Sequence, residues 1–285
     1  MDGKRDNFNQ PEESAMRWTV GMPSYKNFTE VWFTVQALRM YHDDIDMEIV
    51  IVDNYGDLAL AEWARKDGNG QIVYDKFTSQ VGVSPAKNRI FEIARGDNVL
   101  VIDSHILVAK GALSWDIPDD GLYQGPLIRG SRKGYMCEWL PQWRSRMWGI
   151  WGPAVTQLPE KRFPIWAQGA GFFACRREAW LGFNKDFRGF GGETGYVQEK
   201  WRRNGRQVWC EPRMVWQHFF NSAKLGGRAI TYPLQIVDRV RNYIIGYKEI
   251  GLDTKPIREH FGKELYQQSE NLTTAERDRV LKGGK

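Results

Sequence analysis

Two short runs constrain the fold of this 285-residue chain more than anything else in it. They are EIVIVD (Glu48–Asp53) and NVLVID (Asn98–Asp103). Each is apolar through its interior, ends in an acid and is bounded by turn residues, the pattern of a buried strand. Helical signals surround them. Phe28, Val31, Trp32, Val35 and Leu38 recur at near-helical spacing, Leu58–Lys66 reads as a helix, and Gln71–Asp75 as a further strand. Ser84 is expected to cap a helix with Pro85 in its first turn, running to Ala94 before Gly96. A first strand is expected at Trp18–Met22, stopped by Pro23. Strand and helix alternating at these spacings predict an α/β fold with a mostly parallel sheet covered on both faces. Ligands of such sheets gather beyond the carboxyl ends of the strands, where Asp53 and Asp103 stand.

Composition excludes several alternatives. Hydrophobic residues make up 42% and charged residues 26%, ordinary globular values that argue against disorder or a fibrous repeat. No run approaches the roughly 18 apolar residues of a membrane span. The polar start shows no apolar signal region, so a cytoplasmic protein is expected, with residues 1–16 disordered. Cys137, Cys175 and Cys210 are odd in number and form no CxxC pair, which argues against a disulfide framework or zinc knuckle.

The net charge of +5 is concentrated locally. Residues 129–146 carry Arg129, Arg132, Lys133, Arg144 and Arg146 against Glu138 alone. Residues 200–213 carry Lys200, Arg202, Arg203, Arg206 and Arg213 against Glu211 alone. Such segments either meet an anionic ligand, phosphate or nucleic acid, or form solvated faces. The first overlaps a Pro-punctuated stretch with Trp139, Trp143, Trp148, Trp151 and Trp166, expected to line a pocket or lid rather than form regular structure.

Asp103-Ser104-His105 is the sharpest chemical feature. An acid and an imidazole two residues apart after a buried strand can reach one cation, and oxygen with neutral nitrogen suits Mn²⁺. Held there, the ion could stabilise a departing diphosphate; the alternative is an acid capping the next turn beside an exposed histidine. His218 follows a short strand and is either a third ligand or an ordinary core or surface histidine. Glu193, in Phe190-Gly191-Gly192-Glu193, is expected at a helix start running to about Arg203, as helix punctuation or as an acceptor-side carboxylate. Asp53-Asn54 could meet a base or ribose, or simply end a strand. Lys87, Asn88 and Arg89 could add charge near a diphosphate, or be solvated. No GxGxxG, GxxxxGK[ST] or GxSxG pattern is present.

In order and spacing, TVGMPSYKN, EIVIVDN, SPAKNRIFEIARGDN, VLVIDSH and AGFFACRREAW…FRGFGGETGYVQEKWRRNG…EPRMVWQH resemble the blocks of GT-A fold, family 2 type glycosyltransferases. VIDSH is similar to the metal-binding Asp-x-His of the polypeptide N-acetylgalactosaminyltransferases, and FGGET to their Trp-Gly-Gly-Glu-Asn motif. The resemblance covers about residues 17–220 as the transferase domain, with residues 221–285 as a helical C-terminal extension. It implies Mn²⁺ or another divalent cation on Asp103, His105 and His218, and a nucleoside on Pro23, Tyr25 and Asp53. It implies backbone approach of the donor sugar at Ala170 and Gly171. Asp103 and Glu193 would carry the chemistry, with Glu193 bound to sugar or acceptor. The implied reaction is retaining transfer from a UDP-sugar to a macromolecular hydroxyl, falling at acid pH as the histidines protonate. Phe190 and Thr194 depart from the motif. With no secretory anchor or lectin domain, a bacterial or phage-encoded enzyme of the (host) cytoplasm is expected. A protein Ser/Thr is the first acceptor reading; a hydroxymethylated pyrimidine in DNA, a glycan or lipid-linked sugar, and a non-catalytic nucleic-acid or sugar-binding module are the alternatives.

Overall fold

A computed structural model describes residues 17–128, 134–219 and 232–283. The expectation of a disordered tail at 1–16 lies outside them, as do Arg129, Arg132 and Lys133. In chain order the elements are β1 (Trp18–Ser24), α1 (Phe28–Tyr41), β2 (Met47–Asp53), α2 (Leu58–Asp67), β3 (Ile72–Lys76), α3 (Val83–Ile93) and β4 (Asn98–Ile102). Next come β5 (Ile106–Val108), β6 (Leu122–Gln124), β7 (Leu127–Ile128), β8 (Tyr135–Met136), β9 (Trp139–Arg144), β10 (Met147–Trp151), β11 (Phe163–Pro164) and β12 (Phe172–Arg176). The chain continues through α4 (Tyr196–Arg203), β13 (Val208–Cys210), β14 (Trp216–His218), α5 (Ile236–Glu249), α6 (Lys255–Phe261), α7 (Lys263–Asn271) and α8 (Thr274–Gly283).

The main sheet runs β11-β13-β6-β12-β4-β1-β2-β3. From β3 to β4 every pair is parallel, and β12 then lies antiparallel between β4 and β6. Both faces of the parallel half are covered, and the alternation of side chains along each strand divides the core in two. Ile49 and Ile51 of β2 pack with Val31, Val35, Leu38 and Leu60 from α1 and α2. Val50 and Val52 pack on the other face with Ala86, Ile90 and Phe91 of α3, in the same cluster as Tyr196 and Trp201 of α4. α3 lies so close that a Cβ on Gly21 would sit 2.1 Å from the Ile90 methyl. A second, four-stranded sheet runs β5-β14-β7-β8, and α5, α6 and α7 share a third cluster around Tyr243, Tyr247, Ile257 and Tyr266.

Several local expectations need correction. Pro23 does not stop β1; the strand runs to Ser24, because pairing with β4 ends at Gly21 and only the β2 side continues. Ser84 does not cap α3, whose helix begins at Val83, and its hydroxyl bonds Glu193 instead. The tryptophan-rich stretch is regular in part: β9 and β10 form an antiparallel hairpin turning at Ser145, which has φ +54°. α4 starts at Tyr196 rather than Glu193, because Gly191, Gly192 and Gly195 all hold positive φ (99°, 96° and 84°) and prolong the loop.

One buried acid ties the sheet together. Glu48 of β2 is fully buried; Thr19 Oγ1 donates to it at 2.7 Å, the Arg95 backbone N–H at 2.5 Å and Arg95 Nε at 2.6 Å. Burial alone would raise its pKa, but these donors and the arginine charge hold it below the ordinary carboxylate value. Its contribution is therefore present at neutral pH and lost as pH falls through the depressed folded pKa. Glu48→Gln should cost about 2 kcal/mol at pH 7 in urea unfolding, and the difference from the parent should shrink in acid.

Candidate metal and nucleotide-sugar site

At the carboxyl end of β4 the chain enters Asp103-Ser104-His105 before β5. Ser104 is buried: Asn27 Nδ2 donates to its hydroxyl, and Thr34 Oγ1 donates to its carbonyl at 3.1 Å. With Ser104 turned inward, Asp103 and His105 face the other way. His218 is the last residue of β14, which pairs antiparallel with β5 so that His218 lies opposite Ile106, and the Phe219 N–H donates to the His105 carbonyl. The two imidazoles meet edge to face with centroids 4.6 Å apart, and His218 Nε2 is 3.6 Å from Asp103 Oδ2. One ligand atom from each of Asp103, His105 and His218 lies within 4.8 Å of the others.

This donor set fits a borderline divalent cation: one carboxylate and two imidazoles from three backbone positions around one point. The neighbouring chain supports the fit. The Asp103 N–H donates to the Gly171 carbonyl, and a Cβ at Gly171 would sit 2.6 Å from Asp103 Oδ2, so a glycine leaves the carboxylate its space. Lys87 of α3 is buried; its Nζ donates to the Ala170 carbonyl at 2.6 Å and lies 3.3 Å from Asp103 Oδ1. Burial alone would raise the Asp103 pKa, yet the Lys87 charge, the His218 hydrogen bond and both imidazoles hold it far below the usual range.

These groups open on a cavity of about 470 Å³. Pro23, Tyr25, Asp103, His105, His218, Ala170, Gly171, Trp148, Trp151, Phe190, Glu193 and Arg239 are among the residues that line it. Glu193 is buried and accepts from Ser84 Oγ at 3.1 Å and from the Gly191 N–H at 3.3 Å, both through Oε1. Thr194 Oγ1 accepts from the Ala170 N–H at 3.1 Å, tying this loop to the β12 approach.

Not every expected residue reaches the cavity. Asp53 is fully buried, accepting from the Tyr55 and Asp57 N–H groups and the Tyr74 hydroxyl, so it shapes the turn after β2. Asn54 likewise serves the fold, donating to the Phe77 and Gln80 carbonyls. Arg89 faces Asp75 at 2.9 Å and Glu92 at 3.0 Å and does not line the cavity. Lys87, open to a solvated reading in the sequence, is buried at the site. Residues the sequence did not single out also contribute: Tyr232 packs on Tyr25 at a tilt of 45° with centroids 4.8 Å apart, and Arg239 and Tyr243 of α5 line the cavity. Gly171→Ala should displace the Asp103 carboxylate, weakening Mn²⁺ binding in calorimetric titration about tenfold while the chain stays folded.

Comparison with known proteins follows the same lines. The family model described as Glycosyl transferase family 2 matches residues 19–116. No curated protein matches the chain. Among solved structures, GalNAc-T7 with UDP, GalNAc and Mn²⁺ is similar with a TM-score of 0.64 at 15% identity, over 92% of this chain and 57% of that one. The mannosyltransferase PcManGT from Pyrobaculum calidifontis, in complex with GDP-Man and Mn²⁺, is similar with a TM-score of 0.51 at 14% identity, over 94% and 76%. The chain thus spans little more than half the length of the first of these, and at such identities the likeness is one of fold. Residues 19–116 thus match the model of glycosyl transferase family 2, and the chain as a whole shares the fold of these glycosyltransferase structures.

Proposed function

We propose that the chain moves a sugar from a UDP-sugar to the hydroxyl of a macromolecular acceptor, with retention at the anomeric carbon and dependence on a divalent cation, Mn²⁺ first. The observation that carries this reading is the convergence of Asp103, His105 and His218 on one point at the wall of a cavity of about 470 Å³. A cation held by these three side chains would supply Lewis-acid stabilisation of the diphosphate leaving group. The chain's own groups do the rest. Tyr25 and Pro23 form the wall against which the nucleoside lies, Lys87 adds a fixed positive charge behind Asp103, and Gly171 lets the donor approach the backbone. Glu193 holds a hydroxyl of the sugar or acceptor. The bond between the anomeric carbon and the diphosphate oxygen breaks, the acceptor oxygen bonds that carbon from the same face, and the hydroxyl proton passes to the leaving diphosphate.

A protein Ser/Thr hydroxyl remains the first acceptor reading, by the motif resemblance. DNA is the second, favoured by one observation. Arg144 and Arg146 at the exposed tip of the β9–β10 hairpin make no side-chain hydrogen bond or ion pair among the described residues, and the hairpin's Met147, Trp148 and Trp151 line the cavity. The other basic segment gives DNA no such support. Lys200 pairs with Glu249, Arg202 and Arg203 with Glu199, and Arg213 with Glu211, while Arg206 donates to the Ala179 carbonyl. No helix among the described residues is long and apolar enough to cross a membrane.

UDP release from a panel of UDP-sugars, with Mn²⁺, with chelator and with Asp103→Ala, tests the chemistry without an acceptor. Release that needs the metal and falls about 10³-fold or more in the variant is expected. Absence of both turnover and metal-dependent UDP binding would sink the transferase reading and leave a binding module. Duplex DNA binding whose affinity drops steeply with salt would select the DNA acceptor, and salt-independent or absent binding would remove it.

A further inference from the structure

α5 lies outside both the family 2 match and the motif blocks, yet it carries a polar ridge directed at the loop that holds Glu193. Asp238, Asn242 and Gly246 recur at i, i+4 and i+8, so they lie in one row on one helix face. Asn242 is buried and fully used. Its Oδ1 accepts from the Arg188 N–H at 3.2 Å, and its Nδ2 donates to the Arg188 carbonyl at 2.9 Å and to the Gly191 carbonyl at 2.7 Å. The Gly191 N–H in turn donates to Glu193 Oε1. Gly192 packs against the same side chain; a Cβ there would lie 2.5 Å from the Asn242 Cβ and would also meet the α5 backbone. On either side, Asp238 receives Arg277 of α8 at 2.5 Å, and Arg188 pairs with Asp278 of the same helix.

A loop with glycines in the left-handed region at positions 189, 191 and 192 has little to hold it from within, since each glycine adds backbone freedom. Backbone bonds join Gly189 to Val81 and Val83, and the three Asn242 bonds extend the restraint from a rigid helix through Gly191. The geometry points to Asn242 as the positioning residue for Glu193: it fixes the Arg188–Gly191 backbone, and thereby the carboxylate, in place against the cavity. This inference rests on the transferase reading for its catalytic consequence but not for its structural one.

Asparagine alone among small side chains offers an acceptor to one backbone N–H and donors to two carbonyls from a single amide. Asn242→Asp keeps the acceptor and the volume but turns an oxygen toward the two carbonyls, so it is the decisive variant; Asn242→Ala removes all three bonds. Ile244→Ala, in the α5 core away from the loop, serves as a destabilised control. The measurements are UDP release, Mn²⁺-dependent UDP binding, and hydrogen exchange over residues 188–193. For Asn242→Asp, kcat should fall about 100-fold with UDP affinity within about threefold of the parent. Exchange in the loop should rise about tenfold while the amides of α5 stay protected. Ile244→Ala should lower the melting temperature and leave kcat within about twofold. A folded Asn242→Asp protein with parental kcat, or with reduced kcat but parental loop exchange, overturns the assignment. If the parent neither turns over a donor nor binds UDP with metal, the transferase reading fails separately, and loop exchange alone decides the clamp: raised exchange upholds it, and unchanged exchange overturns it.

Discussion

A carboxylate at the end of a buried strand has to be compensated, and much of this structure is arranged around doing so for Asp103. Leaving it unpaired in a partly dry site would cost several kcal/mol or force it to protonate. Lys87 answers from α3, His218 from β14 and His105 from the turn that follows, so helix, sheet and loop are brought to one point. The same arrangement leaves the carboxylate ionised and its neighbours placed as a ligand set. Gly171, with no side chain, is what allows β12 to pass so close on the other side.

The second wall of the cavity is built by elements that do not belong to the parallel half of the sheet. α5 holds the Glu193 loop through Asn242 and the β9–β10 hairpin through two further bonds. The Tyr243 hydroxyl accepts from the Trp148 N–H at 2.9 Å, and Arg239 donates to the Arg146 carbonyl at 2.8 Å. Trp143 seats the hairpin among Tyr243, His260 and Phe261. The C-terminal helices thus form part of the site itself. A carboxylate on a glycine-rich loop and a row of indoles on a two-stranded hairpin would each be poorly ordered alone, and one helix orders both.

Legibility followed the range of the interaction. The central strands and α1, α2 and α3 were visible because hydrophobic periodicity is local. Asp103-Ser104-His105 was visible because two candidate ligands stand two residues apart at a strand end. His218 was ambiguous in the sequence, since its proximity to Asp103 depends on the pairing of β14 with β5 across more than a hundred residues. Asp53 and Arg89 sit in motif blocks but are claimed by local partners, a turn in one case and Asp75 in the other. Asn242 left no trace of its role, because a polar residue in a row with Asp238 beside the apolar face of a helix reads in the sequence as solvent-facing.

The sequence by itself determined the layered α/β plan, the place at the carboxyl end of β4 and two of the three candidate ligands, Asp103 and His105, because burial pattern and strand-end chemistry are written in contiguous residues. Only the tertiary structure decided which cations are spent on internal ion pairs, which acids face the cavity and which helix holds the Glu193 loop. Those outcomes depend on long-range neighbours, and a charged or polar side chain takes whichever partner the folded chain brings within about 3 Å.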